Sequence, residues 1–181
     1  MKLTEITATK QMPHLYLDMD GVQADFFGEW AKFENLHHYK HITDPEEAID
    51  RLAATGPEEV YQFFRNLDTL PGGLKIIKWL HDNKIPFTVL SAPLRGNGEA
   101  SKRGKRDWLD EHNPGTSNTA IFTAAKYKYA VKNGHPNVLV DDYGKYLDAW
   151  SKAGGIAIKH DDDTTDHTIT ELEKIYAPFI K

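Results

Sequence analysis

The sequence has 181 residues, no cysteine and a formal net charge of −5, from 22 Lys and Arg against 27 Asp and Glu. This length fits one domain, or one domain with a modest insertion, and the lack of cysteine excludes disulfides, thiolate metal centres and thiol nucleophiles. The acidic balance disfavours a surface for binding polynucleotides. No apolar run approaches the roughly 20 residues of a membrane span, and residues 1–14 contain no signal-peptide core. We therefore expect a soluble, cytoplasmic protein.

Short apolar runs alternate with helical patterns from about residue 70 onward, which is typical of a parallel sheet flanked by helices. The expected strands are Leu15–Leu17, Phe87–Leu90, Ala120–Phe122, Val138–Val140 and Ile156–Ile158. The expected helices are Leu74–Asn83, Ser101–His112, Ala124–Lys132, Lys145–Ala153 and Thr170–Phe179. Asn133–Gly134 is typical of a helix C-terminus, and Thr168 and Glu171 have the spacing of a capping box.

The segment from residue 25 to residue 70 follows the first strand and contains no convincing strand of its own. Phe26, Trp30 and Phe33 fall at helical spacing, and Pro45–Ala54 and Pro57–Arg65 indicate two further helices. We expect this segment to form a small all-helical cap over one end of the sheet. The expected organisation is a core of residues 1–24 and 71–181 with a cap insertion at residues 25–70.

Polar residues follow four of the expected strands, and ligands of open α/β sheets bind at the carboxyl ends of strands. The first strand runs into Asp18-Met19-Asp20-Gly21, and side chains two residues apart point to the same side of an extended chain. Two carboxylates that close repel each other unless a proton or a cation intervenes. Mg²⁺ prefers such oxygen ligands, so the pattern predicts a magnesium site. The alternative is a plain turn, which Asp and Gly also favour.

The other three signals are weaker when each is taken alone. Ser91 directly follows the second expected strand, where its hydroxyl can donate to a phosphoryl oxygen. After the third strand, Lys126 and Lys128 compete as the lysine that neutralises a phosphate. The fourth strand runs into Asp141 and Asp142, which is costly for an apolar strand unless the carboxylates bind a ligand or meet water. For each signal, a turn or a solvated side chain is the alternative.

In this order the Asp pair, the hydroxyl, the lysine and the second Asp pair resemble the four motifs of haloacid dehalogenase (HAD) superfamily phosphatases, over about residues 14–160. The run Asp18–Phe26, with Leu67–Gly72 and Ser91–Pro93, is similar to the 5′(3′)-deoxyribonucleotidases, which also carry a small helical cap. The resemblance implies a three-layer Rossmann-like α/β fold. It also implies Mg²⁺-dependent hydrolysis of deoxynucleoside monophosphates to nucleoside and phosphate.

The resemblance further implies roles for the matched residues in phosphoryl transfer. Asp18 would be the nucleophile that forms an aspartyl-phosphate. Asp20 would be the general acid that protonates the leaving oxygen and then the base that deprotonates water. Ser91 and Lys126 would bind the phosphoryl oxygens.

The implied magnesium ligands are Asp18, Asp20 and Asp141, with Asp20 contributing its backbone carbonyl. Asp142 would be a further ligand, or it would orient the ligands without contacting the metal itself. Phe26 would stack on a nucleobase, although aromatic residues at helical spacing also indicate core packing.

The sequence departs from the nucleotidase pattern at two positions. Ala92 stands where a second hydroxyl residue is common, and Tyr143 stands where an arginine is common. The basic run Lys102–Arg106 either compensates for the weaker phosphate binding or is a solvated helix start. We interpret the histidines at positions 37, 38 and 41 as surface residues, and residues 160–167 as a solvated acidic connector.

Three functions remain open at this stage. The first is a nucleotidase, and the second is a phosphatase for another small phosphate ester or for a terminal phosphate on nucleic acid. The third is a nucleotide- or metal-binding module without turnover. We expect a small-molecule nucleotide as partner, a monomer or homodimer, and neither a stable nucleic-acid complex nor membrane binding.

Overall fold

The computed structural model describes residues 11–180. Its strands are β1 Leu15–Leu17, β2 Phe87–Ser91, β3 Ile121–Phe122, β4 Val131–Lys132, β5 His135–Pro136, β6 Val138–Asp141 and β7 Ile156–Lys159. Its α-helices are α1 Phe26–Phe33, α2 Pro45–Ala54, α3 Pro57–Arg65, α4 Pro71–Asp82, α5 Gly98–His112, α6 Gly144–Lys152 and α7 Thr165–Tyr176. Within the described residues, no helix is both long and apolar enough to cross a membrane.

The main sheet has five parallel strands in the order β3-β2-β1-β6-β7. Alternate residues of β1 point to opposite faces, as the pleat requires. Leu15 and Leu17 contact α4 and α7, whereas Tyr16 contacts α6. Because both faces are covered, the central strands are continuous apolar runs rather than alternating ones. The predicted fold class, a parallel α/β sheet flanked by helices, is confirmed.

The prediction of a helix at Ala124–Lys132 is wrong. The chain forms a short 3₁₀ helix at Lys126–Tyr129 and then the antiparallel hairpin of β4 and β5. Asn133 and Gly134 both have positive φ, at 51° and 78°, which is the backbone of a tight hairpin turn. The same dipeptide that is typical of a helix C-terminus therefore turns a hairpin here.

The start of the last helix also differs from the prediction. Helix α7 begins at Thr165 rather than Thr170, and a capping box between Asp161 and Thr164 begins the 3₁₀ turn before it. Thr168 lies inside α7, where its hydroxyl contacts His160 Nδ1 at 3.0 Å. His160 is fully buried, so the segment from residue 160 to residue 167 is not simply a solvated connector.

The inserted segment forms α1, α2 and α3, and the bounds of α2 and α3 are those predicted. It shares one hydrophobic cluster with the rest of the chain, in which Leu52 and Phe64 of the insert pack with Val89 and Trp108. Helices α3 and α5 approach closely at Gly104, where a Cβ atom would lie 2.5 Å from the carbonyl oxygen of Tyr61. The insert is thus packed against α5 through α3.

Candidate active site

The site lies at the carboxyl edge of the sheet, where β1 and β6 end side by side. The backbone N–H of Asp18 donates to the carbonyl of Val140 at 2.9 Å, which fixes the start of the turn after β1. Gly21 has a φ of 72° in this turn, and a Cβ atom there would lie 2.7 Å from the Asp142 carboxyl group. The tight turn and the close approach therefore both require glycine at position 21.

Three carboxyl groups meet at this edge. Oxygen atoms of Asp18, Asp141 and Asp142 all lie within 4.8 Å of one another, and Asp18 and Asp141 are buried. Burial, reinforced by the charge of Asp18, raises the pKa of Asp141 to about 7 and that of Asp142 to about 8. Such a crowd of buried carboxylates with oxygen donors alone fits Mg²⁺, which would relieve the repulsion.

Lys126 contacts two of these three carboxyl groups. Its Nζ lies 2.8 Å from Asp18 Oδ1 and 2.6 Å from Asp141 Oδ2, and its side chain is 1% exposed. Burial alone would lower the pKa of Lys126, but the two carboxylates more than offset this and raise it. Lys128 is exposed, so of the two candidate lysines it is Lys126 that the structure brings to the aspartates.

A second buried lysine, Lys105, contacts Asp20 and Ser91. Lys105 Nζ donates to Asp20 Oδ2 at 2.6 Å, to Ser91 Oγ at 2.9 Å and to the carbonyl of Ala92 at 2.6 Å. Burial raises the pKa of the Asp20 carboxyl, and the Lys105 ammonium opposes that shift. Asp20 Oδ1 is buried without a hydrogen-bond partner among the described residues, which leaves one oxygen free for a ligand.

Sequence reasoning placed Lys105 only in a basic patch of uncertain role. Its sequence position carried a usable signal, because Lys105 lies three and four residues before Trp108 and Leu109, which are both buried. Residues at that spacing share one face of a helix. A lysine on the apolar face of α5 indicates a buried partner.

Substituting Lys105 with Met is expected to lower the free energy of unfolding by about 3 kcal/mol, because it removes the fully buried cation that pairs with the half-buried Asp20 carboxylate. The measurement is chemical denaturation without added metal. The double variant with Asp20→Asn should recover a large part of the loss, since no charge is then left unpaired. Equal losses in the single and double variants would show that Lys105 contributes packing rather than charge pairing.

A buried polar pair supports the backbone of the turn. Gln23 Nε2 donates to the carbonyl of Asp18 at 2.7 Å, and Gln23 Oε1 accepts from Asn113 Nδ2 at 3.0 Å. Asn113 follows the last residue of α5. These contacts connect the turn after β1 to the helix that carries Lys105, and sequence reasoning missed both residues.

A cavity of about 680 Å³ opens between the insert and the loops that follow β6 and β7. Its insert side includes Phe26, Phe27 and Tyr39, and its other side includes Tyr143 and Tyr146. The cavity therefore adjoins the acidic cluster and has an aromatic lining.

Among the described residues, one group of side chains has the spacing of a metal site, and it consists of Asp18, Asp141 and Asp142. The histidines at positions 37, 38 and 41 do not belong to it.

Comparison with known proteins gives one family match. The model of the family described as "5′ nucleotidase, deoxy (Pyrimidine), cytosolic type C protein" matches residues 12–175. No curated protein sequence matches the chain.

Similar solved structures include three hydrolases, all distant in sequence. A HAD hydrolase of family IA, variant 3, from Entamoeba histolytica HM-1:IMSS is 14% identical with a TM-score of 0.49, over 90% of this chain and 89% of that one. A HAD family hydrolase from Deinococcus radiodurans R1, with bound phosphate and sodium, is 12% identical with a TM-score of 0.49, over 91% and 96%. A hydrolase from Streptococcus pneumoniae TIGR4 is 11% identical with a TM-score of 0.46, over 92% and 100%.

Proposed function

We propose that this chain, which belongs to the cytosolic type C family of deoxy (pyrimidine) 5′ nucleotidases, hydrolyses deoxynucleoside monophosphates to nucleosides and inorganic phosphate in the cytoplasm. As a family member it is a phosphoric monoester hydrolase. The observation that carries the proposal is that the two carboxyl groups of the first Asp pair contact different lysines: Asp18 is paired with Lys126, and Asp20 is paired with Lys105. Two neighbouring carboxyl groups thereby receive different surroundings and can take different roles.

Asp18 is the nucleophile in this proposal. One of its carboxylate oxygens attacks the phosphorus in line with the leaving oxygen, so that an aspartyl-phosphate forms as the ester bond breaks. Lys126 and Ser91 hold the phosphoryl oxygens while negative charge shifts among them. Water then attacks the aspartyl-phosphate and releases phosphate, which restores the Asp18 carboxylate.

Asp20 moves the protons in both steps. Its burial raises the carboxyl pKa, which is the direction that the role of a general acid requires. It gives that proton to the leaving nucleoside oxygen, and the resulting carboxylate then accepts a proton from the attacking water. Lys105 fixes one Asp20 oxygen at 2.6 Å, so that the other oxygen performs the transfer.

The proposed magnesium ligands are the carboxylates of Asp18 and Asp141 and the backbone carbonyl of Asp20, with Asp142 beside them. When bound, Mg²⁺ would neutralise phosphoryl charge near the nucleophile. The supporting observation is the buried cluster of three carboxyl groups, which holds more negative charge than the single cation Lys126 balances.

The proposal is tested by phosphate release from 5′- and 3′-deoxynucleoside monophosphates, ribonucleotides and sugar phosphates, each with Mg²⁺ and with EDTA. We expect metal-dependent release that is fastest with deoxynucleotides. Preference for sugar phosphates would support the alternative hypothesis, in which the protein is a phosphatase for another small phosphate ester. No release from any substrate in the presence of Mg²⁺ would support a binding module without turnover.

A further inference from the structure

We propose that Gln23 and Asn113 are a positioning pair for the nucleophile: the Gln23 side-chain amide holds the backbone carbonyl of Asp18, and Asn113 orients that amide. This inference rests on the proposed function, because it concerns the attack of Asp18 on phosphorus. Neither Gln23 nor Asn113 belongs to the four matched motifs. The pair acts through the backbone of residue 18 and touches no reacting atom.

Gln23 places a polar side chain in a fully buried position. Its neighbours in the chain, Val22 and Ala24, are buried as well. An amide in such surroundings is costly unless its hydrogen bonds are made. Both ends of the Gln23 amide are paired, since Nε2 donates to the carbonyl of Asp18 at 2.7 Å and Oε1 accepts from Asn113 Nδ2 at 3.0 Å. The side chain is therefore held by two specific contacts rather than by apolar packing alone.

The carbonyl of Asp18 depends on the Gln23 side chain. Asp18 follows the last residue of β1, and its N–H still donates to the carbonyl of Val140 in β6 at 2.9 Å. In the part of the chain that the structure describes, no backbone N–H donates to the Asp18 carbonyl. The N–H groups of residues 22–24 donate instead to the next carbonyl, that of Met19, at 2.8 to 3.3 Å. Gln23 thus supplies a hydrogen bond that neither the sheet nor the turn provides.

The two backbone hydrogen bonds of Asp18 lie on either side of its Cα atom. The bond to Val140 fixes the peptide group before the Cα atom, and the bond from Gln23 fixes the peptide group after it. Together they set the direction of the Cα–Cβ bond, and hence the place of the carboxylate relative to phosphorus. Alignment of the attacking oxygen is decisive in phosphoryl transfer, and displacement by about 1 Å costs about 100-fold in rate.

Asn113 is a rigid anchor for the Gln23 amide. It is buried and follows the last residue of α5. Its backbone N–H donates to the carbonyl of Leu109 at 2.9 Å, and its carbonyl accepts from the Thr116 hydroxyl at 2.7 Å. Because Asn113 donates to Gln23, the amide turns its oxygen toward Asn113 and its nitrogen toward Asp18. The orientation of this amide therefore decides that the Asp18 carbonyl receives a donor.

The test measures kcat and KM for phosphate release from thymidine 5′-monophosphate with Mg²⁺, together with the inhibition constant of inorganic phosphate. Gln23→Met keeps the length of the side chain and removes both hydrogen bonds. We expect it to lower kcat about 100-fold, while KM and the inhibition constant stay within about threefold. A loss in kcat without a loss of binding indicates an interaction that acts in the transition state.

The matched control is Asn137→Leu, which removes a buried amide at the opposite end of the sheet. Asn137 directly precedes β6, where Nδ2 donates to the carbonyl of Tyr129 at 2.7 Å and Oδ1 accepts from the N–H of His14 at 3.3 Å. Its loss should lower the Tm, as the loss of Gln23 does. Because these contacts lie far from the carboxyl edge, kcat of the folded protein should stay within about threefold.

A second variant, Asn113→Leu, separates orientation of the amide from its presence. We expect kcat to fall about tenfold in the wild-type background and less than about twofold in the Gln23→Met background. The reason is that Asn113 acts on the nucleophile only through Gln23. A merely structural role for Asn113 would lower the Tm in both backgrounds without this dependence of kcat on Gln23.

The inference is overturned if Gln23→Met keeps kcat within about threefold of wild type, or if Asn137→Leu at the same loss of Tm lowers kcat equally. It is also overturned if the inhibition constant of phosphate rises by the factor by which kcat falls, or if the losses from Gln23→Met and Asn113→Leu multiply in the double variant. A wild-type protein that releases no phosphate contradicts the proposed function itself. An active wild type with an equally active Gln23→Met variant contradicts only the positioning role.

Discussion

Replacing Asp18 with Asn is expected to reduce kcat for phosphate release by about 10⁴-fold or more, the scale on which removal of a nucleophile acts. The amide cannot form the acyl-phosphate, although its size and position are almost those of the carboxylate. The fold should be retained, because Lys126 keeps its ion pair with Asp141 and because the charge of Asp18 raises the pKa of both Asp141 and Asp142. Removing one of three crowded carboxylates relieves their repulsion, so the Tm without metal should be equal or higher.

The measurements are steady-state phosphate release and thermal unfolding of the same preparation. Asp148→Asn is the matched control, since Asp148 is exposed on α6 and its substitution should change neither quantity. An Asp18→Asn protein that retains more than a tenth of wild-type kcat would exclude Asp18 as the nucleophile.

Substituting Gly73 with Ala is expected to reduce kcat/KM about 100-fold, because displacement of a catalytic group by about 1 Å costs that much. Gly73 lies in the first turn of α4, which packs on the turn after β1. A Cβ atom at this position would lie 2.0 Å from the carbonyl oxygen of Val22 and 2.8 Å from the Cα of Gln23. Both contacts are backbone atoms, so the methyl group must push the turn that carries Asp20.

Two other glycines separate this effect from general loss of stability. At Gly72 a Cβ atom would meet side-chain atoms of Thr165 and Asp162, so Gly72→Ala should lower the Tm with a much smaller effect on kcat/KM. At Gly144 nothing lies within 4 Å, and Gly144→Ala should preserve activity. If Gly73→Ala and Gly72→Ala lower kcat/KM equally, pressure on the turn after β1 is not the cause.

The sheet could be predicted from the sequence because its buried strands are continuous apolar runs. Predicted and observed bounds of β1 agree, and those of β2, β3, β6 and β7 differ by one residue at one end. Helices α2 and α3 both begin with a proline that follows a turn residue, which is a strong start signal. Local sequence is sufficient to predict an element where its apolar pattern and its start and stop residues indicate the same bounds.

The region from residue 124 to residue 136 could not be predicted because its decisive interactions are long-range. Lys126 is drawn inward by Asp18 and Asp141, which lie more than 14 residues away in the chain, and this contact favours a single 3₁₀ turn over a full helix. Asn133–Gly134 is compatible with both a helix end and a hairpin turn. A pattern of local propensities cannot choose between them.

Only some of the residues at the candidate site could be predicted from the sequence. Motif order identified the aspartates, Ser91 and Lys126, which lie at strand ends as expected. It did not identify Lys105, whose role depends on the way α5 crosses the end of β2. The resemblance implied that Phe26 stacks on a nucleobase, and this stays a prediction: Phe26 is 8% exposed and lines the cavity beside Phe27.

Two adjacent residues of helix α5 contact different parts of the molecule. Its Gly104 is pressed against the backbone of α3, and the next residue, Lys105, holds the Asp20 carboxylate. A displacement of α3 at Gly104 would therefore reach the contact between Lys105 and Asp20 through two neighbouring residues of α5. Exchanging the insert for another sequence is therefore expected to change the position of the Asp20 carboxyl group as well as the shape of the cavity.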